Sequence, residues 1–155
     1  MYSGRILIVD DDSAVQKLLK VWLQAAGYET VAVWDGEQAL LSLSHSIFDL
    51  ALVDFRMPRM DGLGVLGKIA EHQIPVGPLL LTASHDRWLI VEAMRRGALD
   101  CVWKPTSAKS LIFALDEALE RHWSRQLGLP PLPSLRAHHT AEPENKALAT
   151  SFEFP

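Results

Sequence analysis

"ILIVDDDSAVQKLL" (residues 6–19) sets four apolar residues directly before three consecutive aspartates. A short apolar run without polar alternation reads as a strand buried on both faces. Beyond the aspartates, Val15, Leu18, Leu19 and Trp22 recur with helical spacing, and Gly27 supplies a helix stop. Adjacent carboxylates repel one another, so three of them at the mouth of a core need a reason. Three are open at this point: a helix cap, a cation site, or a solvated charge run with no particular task.

Working outward, the same strand-then-helix unit recurs. Strands are expected over 5–9, 30–33, 50–53, 79–82 and 101–103. Helices are expected over 13–26, 35–45, 62–72 and 86–96, the last of these closed by Gly97, and a final one capped by Ser107 reaches about residue 125. Five such alternations predict an α/β fold: a doubly wound, five-stranded parallel sheet with helices on both faces. Such sheets bind ligands outside the carboxyl ends of their strands. The residues at those ends are Asp10, Asp11, Asp54, Thr82 and Lys104, and they are expected to meet in one crevice.

Bulk properties bound the rest. The chain has 155 residues, 48% of them apolar, enough for one well-packed domain. Its net charge is −4, from 15 basic and 19 acidic side chains, and no Lys/Arg-rich block points to nucleic acid as a direct partner. No apolar stretch has the length of a membrane span, and "MYSGRILIVD" lacks the layout of a signal peptide, so a cytoplasmic location is expected. Cys101 is the single cysteine, and the six histidines show no metal-ligand spacing. The folded domain is expected to cover residues 1–123. Residues 124–155, with five of the nine prolines, read as a semi-extended tail with a short ordered piece at "LPPLP".

Clustered carboxylates at a sheet end are unfavourable unless a cation neutralises them. Oxygen ligands without cysteine or clustered histidine favour Mg²⁺ or Mn²⁺ over zinc. Mg²⁺ takes one or two carboxylates and leaves a position for a phosphate oxygen, which suggests phosphoryl chemistry. Lys104, held in an extended conformation by Pro105, offers an ammonium to a carboxylate or a phosphoryl oxygen, and Thr82 offers a hydroxyl donor.

Taken together, "ILIVDDD", "LALVDFRMPRMDGLGVL", "LLLTAS" and "GALDCVWKP" resemble the receiver domain of two-component response regulators, the CheY-like family, over residues 5 to about 123. The resemblance implies strand order 2-1-3-4-5 in a three-layer sandwich. It implies that Asp54 accepts a phosphoryl group from a sensor histidine kinase or a histidine phosphotransfer protein. Asp11 and Asp54 would then bind Mg²⁺ through their side chains, Arg56 through its backbone carbonyl and Asp10 largely through water. Thr82 and Lys104 would contact the phosphoryl group. Output would pass through the fourth helix, fifth strand and fifth helix to a partner or a second copy of the chain, and the first helix, with Ala14, Val15 and Leu18, would face the phosphodonor. The protein would act as a stand-alone switch rather than an enzyme that turns over a substrate.

Plainer readings stand beside these. Asp12 suits a helix N-cap and Asp61 a turn or helix start. Trp22 suits the core, while Trp88 and Trp103 suit either an interface or partial burial, and Trp123 suits packing on a partner copy. The family often carries an aromatic residue three positions before the lysine, and here that position is Cys101. A thiol is too small for an aromatic pocket, so that switch is expected to work differently, and the strand direction of Trp103 is taken to count against it as the replacement. Arg56 is expected to reach over the phosphoryl site and alter dephosphorylation. Three rival readings are a phosphatase-like hydrolase, a constitutive interaction module with a degenerate site, and a receiver cut from a DNA-binding regulator. Against the first, no second aspartate lies two residues after Asp54.

Overall fold

The computed structural model describes residues 4–104 and 106–130. Its elements alternate as β1 (Arg5–Val9), α1 (Ser13–Ala25), β2 (Glu29–Val33), α2 (Gly36–His45), β3 (Leu50–Asp54), α3 (Gly62–Glu71), β4 (Gly77–Thr82), α4 (Arg87–Arg95), β5 (Asp100–Trp103) and α5 (Ala108–Gln126). All strand pairs are parallel, in the order β2-β1-β3-β4-β5. The doubly wound α/β sandwich is thus present with the expected order. Every helix and strand falls within a few residues of its predicted position. Pro105 and most of "LPPLP" lie outside the described residues.

The strands read as unbroken apolar runs because both of their faces are covered. Successive side chains alternate between the faces. Ile6, Ile8, Leu50, Leu52, Leu79 and Leu81 point to one side and pack with Val15, Leu19 and Leu23 of α1 and with Leu111, Leu115 and Leu119 of α5. Leu7, Val9, Ala51 and Val53 point to the other side, against Ala39 and Leu43 of α2 and Val65 and Ile69 of α3. Leu80 and Cys101 continue that second layer under α4, through Leu89 and Ala93.

Each helix starts on a side-chain cap. Asp12, Asp35, Asp61, Asp86 and Ser107 each accept a backbone N–H from the first turn of the helix that follows. Asp12 and Asp61 therefore take the capping roles expected of them. Three helices close on glycines at positive φ, Gly27 (93°), Gly97 (94°) and Gly128 (68°). After α5, Leu129 N donates to Ser124 O at 2.7 Å and Gly128 N to Arg125 O at 3.2 Å. This paired closure ends the helix where the chain turns left-handed.

Two expectations are corrected here. The tail boundary placed at residue 124 falls inside α5, which runs to Gln126 because its stop signal is Gly128 rather than the following prolines. Trp123 does not offer itself to a partner copy. It packs against the chain's own core and donates from its indole nitrogen to Asp49 Oδ1 at 3.1 Å. Trp22 packs against the same core, as expected.

Candidate functional site

β1 and β3 are neighbours in the middle of the sheet, so the residues at their carboxyl ends share one crevice. Asp10 follows Val9 directly, and its backbone N–H donates to Val33 O at 3.1 Å, continuing the β1–β2 ladder one step past the strand. Its Oδ1 accepts the Asp12 N–H at 2.9 Å. Asp54 is the last residue of β3. Phe55 N donates to Leu81 O at 2.9 Å, and Gly62 N donates to Phe55 O at 2.8 Å, which folds the 55–61 loop back against the strand end. Only glycine fits at 62: a Cβ there would stand 2.6 Å from the Asp54 carbonyl oxygen and 2.7 Å from Leu80 Cδ1.

Carboxylate oxygens of Asp10, Asp11 and Asp54 lie within 4.8 Å of one another. Lys104 Nζ reaches into the group, 2.7 Å from Asp54 Oδ1 and 3.6 Å from Asp10 Oδ2. The lysine is held there by its own backbone, since Lys104 N donates to Thr82 O at 2.8 Å. Thr82 itself is buried, one residue beyond Leu81, which is in register with Asp54. Its Oγ1 accepts the Ser84 N–H at 3.0 Å, leaving the hydroxyl hydrogen available to donate elsewhere. Four of the five strand-end residues thus gather on one another, and Thr82 lines the adjoining strand.

The electrostatics are those of an under-neutralised site. Burial pushes the Asp10 carboxyl up to about 6, with the Asp54 and Asp11 charges adding to the rise and the Asp12 N–H and Lys104 opposing it. Burial likewise raises Asp54 against the pull of Lys104. Asp10 Oδ2 is buried with no hydrogen-bond partner among the described residues, and Lys104 is too far for more than a through-space interaction. One ammonium does not balance three carboxylates. Oxygen donors of this kind, with one buried oxygen unused, fit a hard divalent cation such as Mg²⁺ or Mn²⁺.

The other named residues fall in three places. Arg56 is exposed in the loop after β3, two residues from Asp54. Ala14 is exposed and Leu18 half-buried, but Val15 is fully buried in the core beneath α1 and cannot belong to a docking face; the helical stripe that carries Leu19 and Leu23 takes it inward. At the far side of the sheet, Trp88 is 62% exposed and Trp103 37%, whereas Cys101 is 3% exposed beneath α4. Trp103 stacks on His85 with ring centroids 5.7 Å apart and planes 13° from parallel. Residues two apart on a strand share a face, so Trp103 emerges on the side where Cys101 is buried. The expectation that strand direction separates the two is overturned.

Sequence reasoning missed Gln16, Asp35 with Arg59, and His85. Asp35 caps α2 and also binds Arg59 Nη2 at 3.2 Å, tying α2 to the loop beside Asp54, with Arg59 at a φ of 68°. The helix expected over 35–45 does open at this aspartate; nothing local signalled the arginine.

A family model described as the response regulator receiver domain matches residues 6–116. The transcriptional regulatory protein CpxR of Klebsiella pneumoniae is 38% identical over 125 residues, covering 79% of this chain and 53% of that protein. ZraR of Salmonella typhimurium, also a transcriptional regulatory protein, is 36% identical over 132 residues, 85% of this chain and 29% of its own length. The chain therefore spans about half, or less, of these relatives. Among solved structures, the signal receiver domain of a LuxO repressor protein from Vibrio parahaemolyticus superposes with a TM-score of 0.77 at 28% identity, over 82% of this chain and 98% of that one. A CheY-like receiver domain protein from Methanospirillum hungatei gives 0.75 at 27% identity, over 80% and 99%. The chain belongs to the response regulator receiver domain family of two-component signal transduction.

Proposed function

We propose that this protein is a phosphorylation-dependent switch in which Asp54 accepts a phosphoryl group from the phosphohistidine of a sensor kinase or phosphotransfer protein. The observation that carries the reading is the Lys104 ammonium, 2.7 Å from an Asp54 oxygen inside a group of three carboxylates. An Asp54 oxygen attacks phosphorus as the phosphorus–nitrogen bond breaks. The bonding pair stays on the imidazole nitrogen, which takes up a proton. Lys104 gives up its contact with the attacking carboxylate and holds a phosphoryl oxygen instead, and the Thr82 hydroxyl donates to another. Asp10, Asp11, Asp54 and the Arg56 carbonyl would hold Mg²⁺ or Mn²⁺, which supplies charge neutralisation for the transferred group when bound.

Output follows from what these two residues also touch. Thr82 accepts from Ser84 at the entry to the 83–86 loop, and Lys104 adjoins Trp103, which stacks on His85 of that loop. Moving the Thr82 hydroxyl and the Lys104 ammonium to the phosphoryl group shifts the loop and with it the exposed face bearing Trp88 and Trp103. A partner or a second copy then reads the populations of that face. Hydrolysis of the acyl phosphate is slow and resets the switch, with exposed Arg56 tuning its rate. The protein works in the cytoplasm, with residues through α5 forming the receiver unit.

A second reading is favoured by coverage. Because the relatives are transcriptional regulators spanning more than this chain does, the domain also suits the receiver portion of such a regulator. Both readings require the same chemistry. Incubation with acetyl phosphate and Mg²⁺, followed by hydroxylamine, tests it: an acyl phosphate is released by hydroxylamine, whereas a phosphoester is not. Turnover of generic phosphate esters would favour the hydrolase rival instead.

A further inference from the structure

We infer that Gln16 is a positioning residue for the metal-binding carboxylates, acting through the backbone of Asp10 rather than by contact with the ion. The inference rests on the cation-dependent reading above. Gln16 lies on α1, half-buried, and its side-chain nitrogen donates to two backbone carbonyls at once, Asp10 O at 2.8 Å and Val33 O at 2.8 Å. Its own backbone N–H donates to Asp12 O at 3.0 Å, so one residue grips the acidic turn from two directions.

The grip matters because of which carbonyl it holds. Asp10 C=O is half of the peptide group that leads to Asp11. Fixing that plane fixes the torsions on either side of it, and these aim both carboxylates. On its amide side Asp10 is held by Val33 O at 3.1 Å, the same carbonyl that Gln16 reaches. Left to themselves, carboxylates within 4.8 Å of one another and of Asp54 would swing apart. Gln16 prevents this by tying the turn to the end of β2 before any ion arrives. A primary amide suits the task because it carries two N–H donors and no charge, and so does not compete with a cation. Preorganisation of this kind moves the reorganisation out of the binding step, which is how groups behind the ligands raise metal affinity.

The test compares Gln16→Met, which keeps length and packing but has no donors, with Gln24→Met. Gln24 also bridges α1 and β2 through its side chain, donating to Thr30 Oγ1 at 3.2 Å near the opposite end of the strand. Mg²⁺ binding to the full chain is titrated calorimetrically without a phosphodonor, and the unfolding midpoint of each variant is recorded. Gln16→Met is expected to weaken Mg²⁺ binding on the order of tenfold, with Gln24→Met at the wild-type value. Equal affinities in all three proteins, or equal weakening in both variants, would overturn the inference. In ¹⁵N-labelled wild type the Gln16 side-chain amide pair is expected to shift on Mg²⁺ addition while that of Gln24 stays, which keeps the test open should Gln16→Met not fold; an unmoved Gln16 pair counts against it. A wild-type chain that takes up no Mg²⁺ removes the cation-dependent reading itself, and this inference with it.

Discussion

Lys104 Nζ lies 2.7 Å from Asp54 Oδ1 although β4 stands between the strands that carry them. The pair is poised rather than settled. The ammonium is close enough to lower the Asp54 carboxyl, yet burial outweighs it and the group stays above its ordinary range. A cation added to the crevice would offset the negative charge that Lys104 alone leaves unbalanced.

Removing the ammonium should expose that imbalance. Lys104→Met leaves Asp10 and Asp54 buried with one fewer cation, and the metal-free variant is expected to lose on the order of 2 kcal/mol at pH 8. The loss should shrink at pH 5, where the Asp10 carboxyl, raised to about 6, takes up a proton. Urea unfolding at the two pH values, with a chelator present, checks this. An equal loss at both would mean that the lysine acts through packing.

Asp10 gives the sharper pH dependence. Its folded carboxyl is raised from 3.8 to about 6, so the stability linked to it is full below the unfolded value and lost as pH rises through about 6. Metal-free Asp10→Asn is therefore expected to be more stable than wild type above pH 6, by on the order of 2 kcal/mol, with the difference vanishing toward pH 4. For the same reason Mg²⁺ affinity of the wild type should fall as pH drops through about 6, since protons compete for the site. Thermal unfolding and Mg²⁺ titration across pH 4–8 measure both.

Gly62→Ala should damage the site from behind. The new methyl meets the Asp54 carbonyl at 2.6 Å and Phe55 Cα at 2.9 Å, both backbone atoms that cannot step aside. A destabilisation of roughly 1–3 kcal/mol is expected, with weaker Mg²⁺ binding because the strand end that carries Asp54 must move. Calorimetry on the same sample reads both effects. A wild-type Mg²⁺ affinity would show that the loop absorbs the methyl without reaching Asp54.

Cys101 stands where the receiver resemblance leads one to expect an aromatic side chain. The thiol is buried among Leu63, Leu66, Leu80, Leu89 and Ala93, a setting sized for a small side chain. Cys101→Tyr is expected to overpack it by roughly 1–3 kcal/mol. A neutral or stabilising Cys101→Tyr, measured by thermal unfolding, would reveal an aromatic pocket at this position after all.

Much of this was legible in the sequence because it depends on neighbours along the chain. The strands announce themselves as apolar runs, the caps as Asp or Ser before each helix, and Asp10, Asp11, Asp54 and Lys104 as charges stranded at strand ends. α3 shows the limit of the stop signals: it closes on Gln73 at a φ of 51°, a left-handed residue that is not glycine and carries no local mark. Features joining distant segments were hidden. The two acceptors of Gln16 depend on β1 and β2 ending side by side, the Asp35–Arg59 pair on two loops meeting, and the His85–Trp103 stack on β5 emerging beside the 83–86 loop. Val15 was misplaced for a related reason: helical spacing shows which residues share a stripe, but its packing partners decide that the stripe points inward.

The most direct measurement is intact-mass analysis of the chain after incubation with acetyl phosphate, with and without Mg²⁺, beside Asp54→Asn. A phosphoaccepting Asp54 predicts one phosphoryl adduct on the wild type that depends on Mg²⁺ and is lost in hydroxylamine, and none on Asp54→Asn. An adduct of equal abundance on Asp54→Asn, or no adduct on the wild type with any phosphodonor including a histidine kinase, would contradict it.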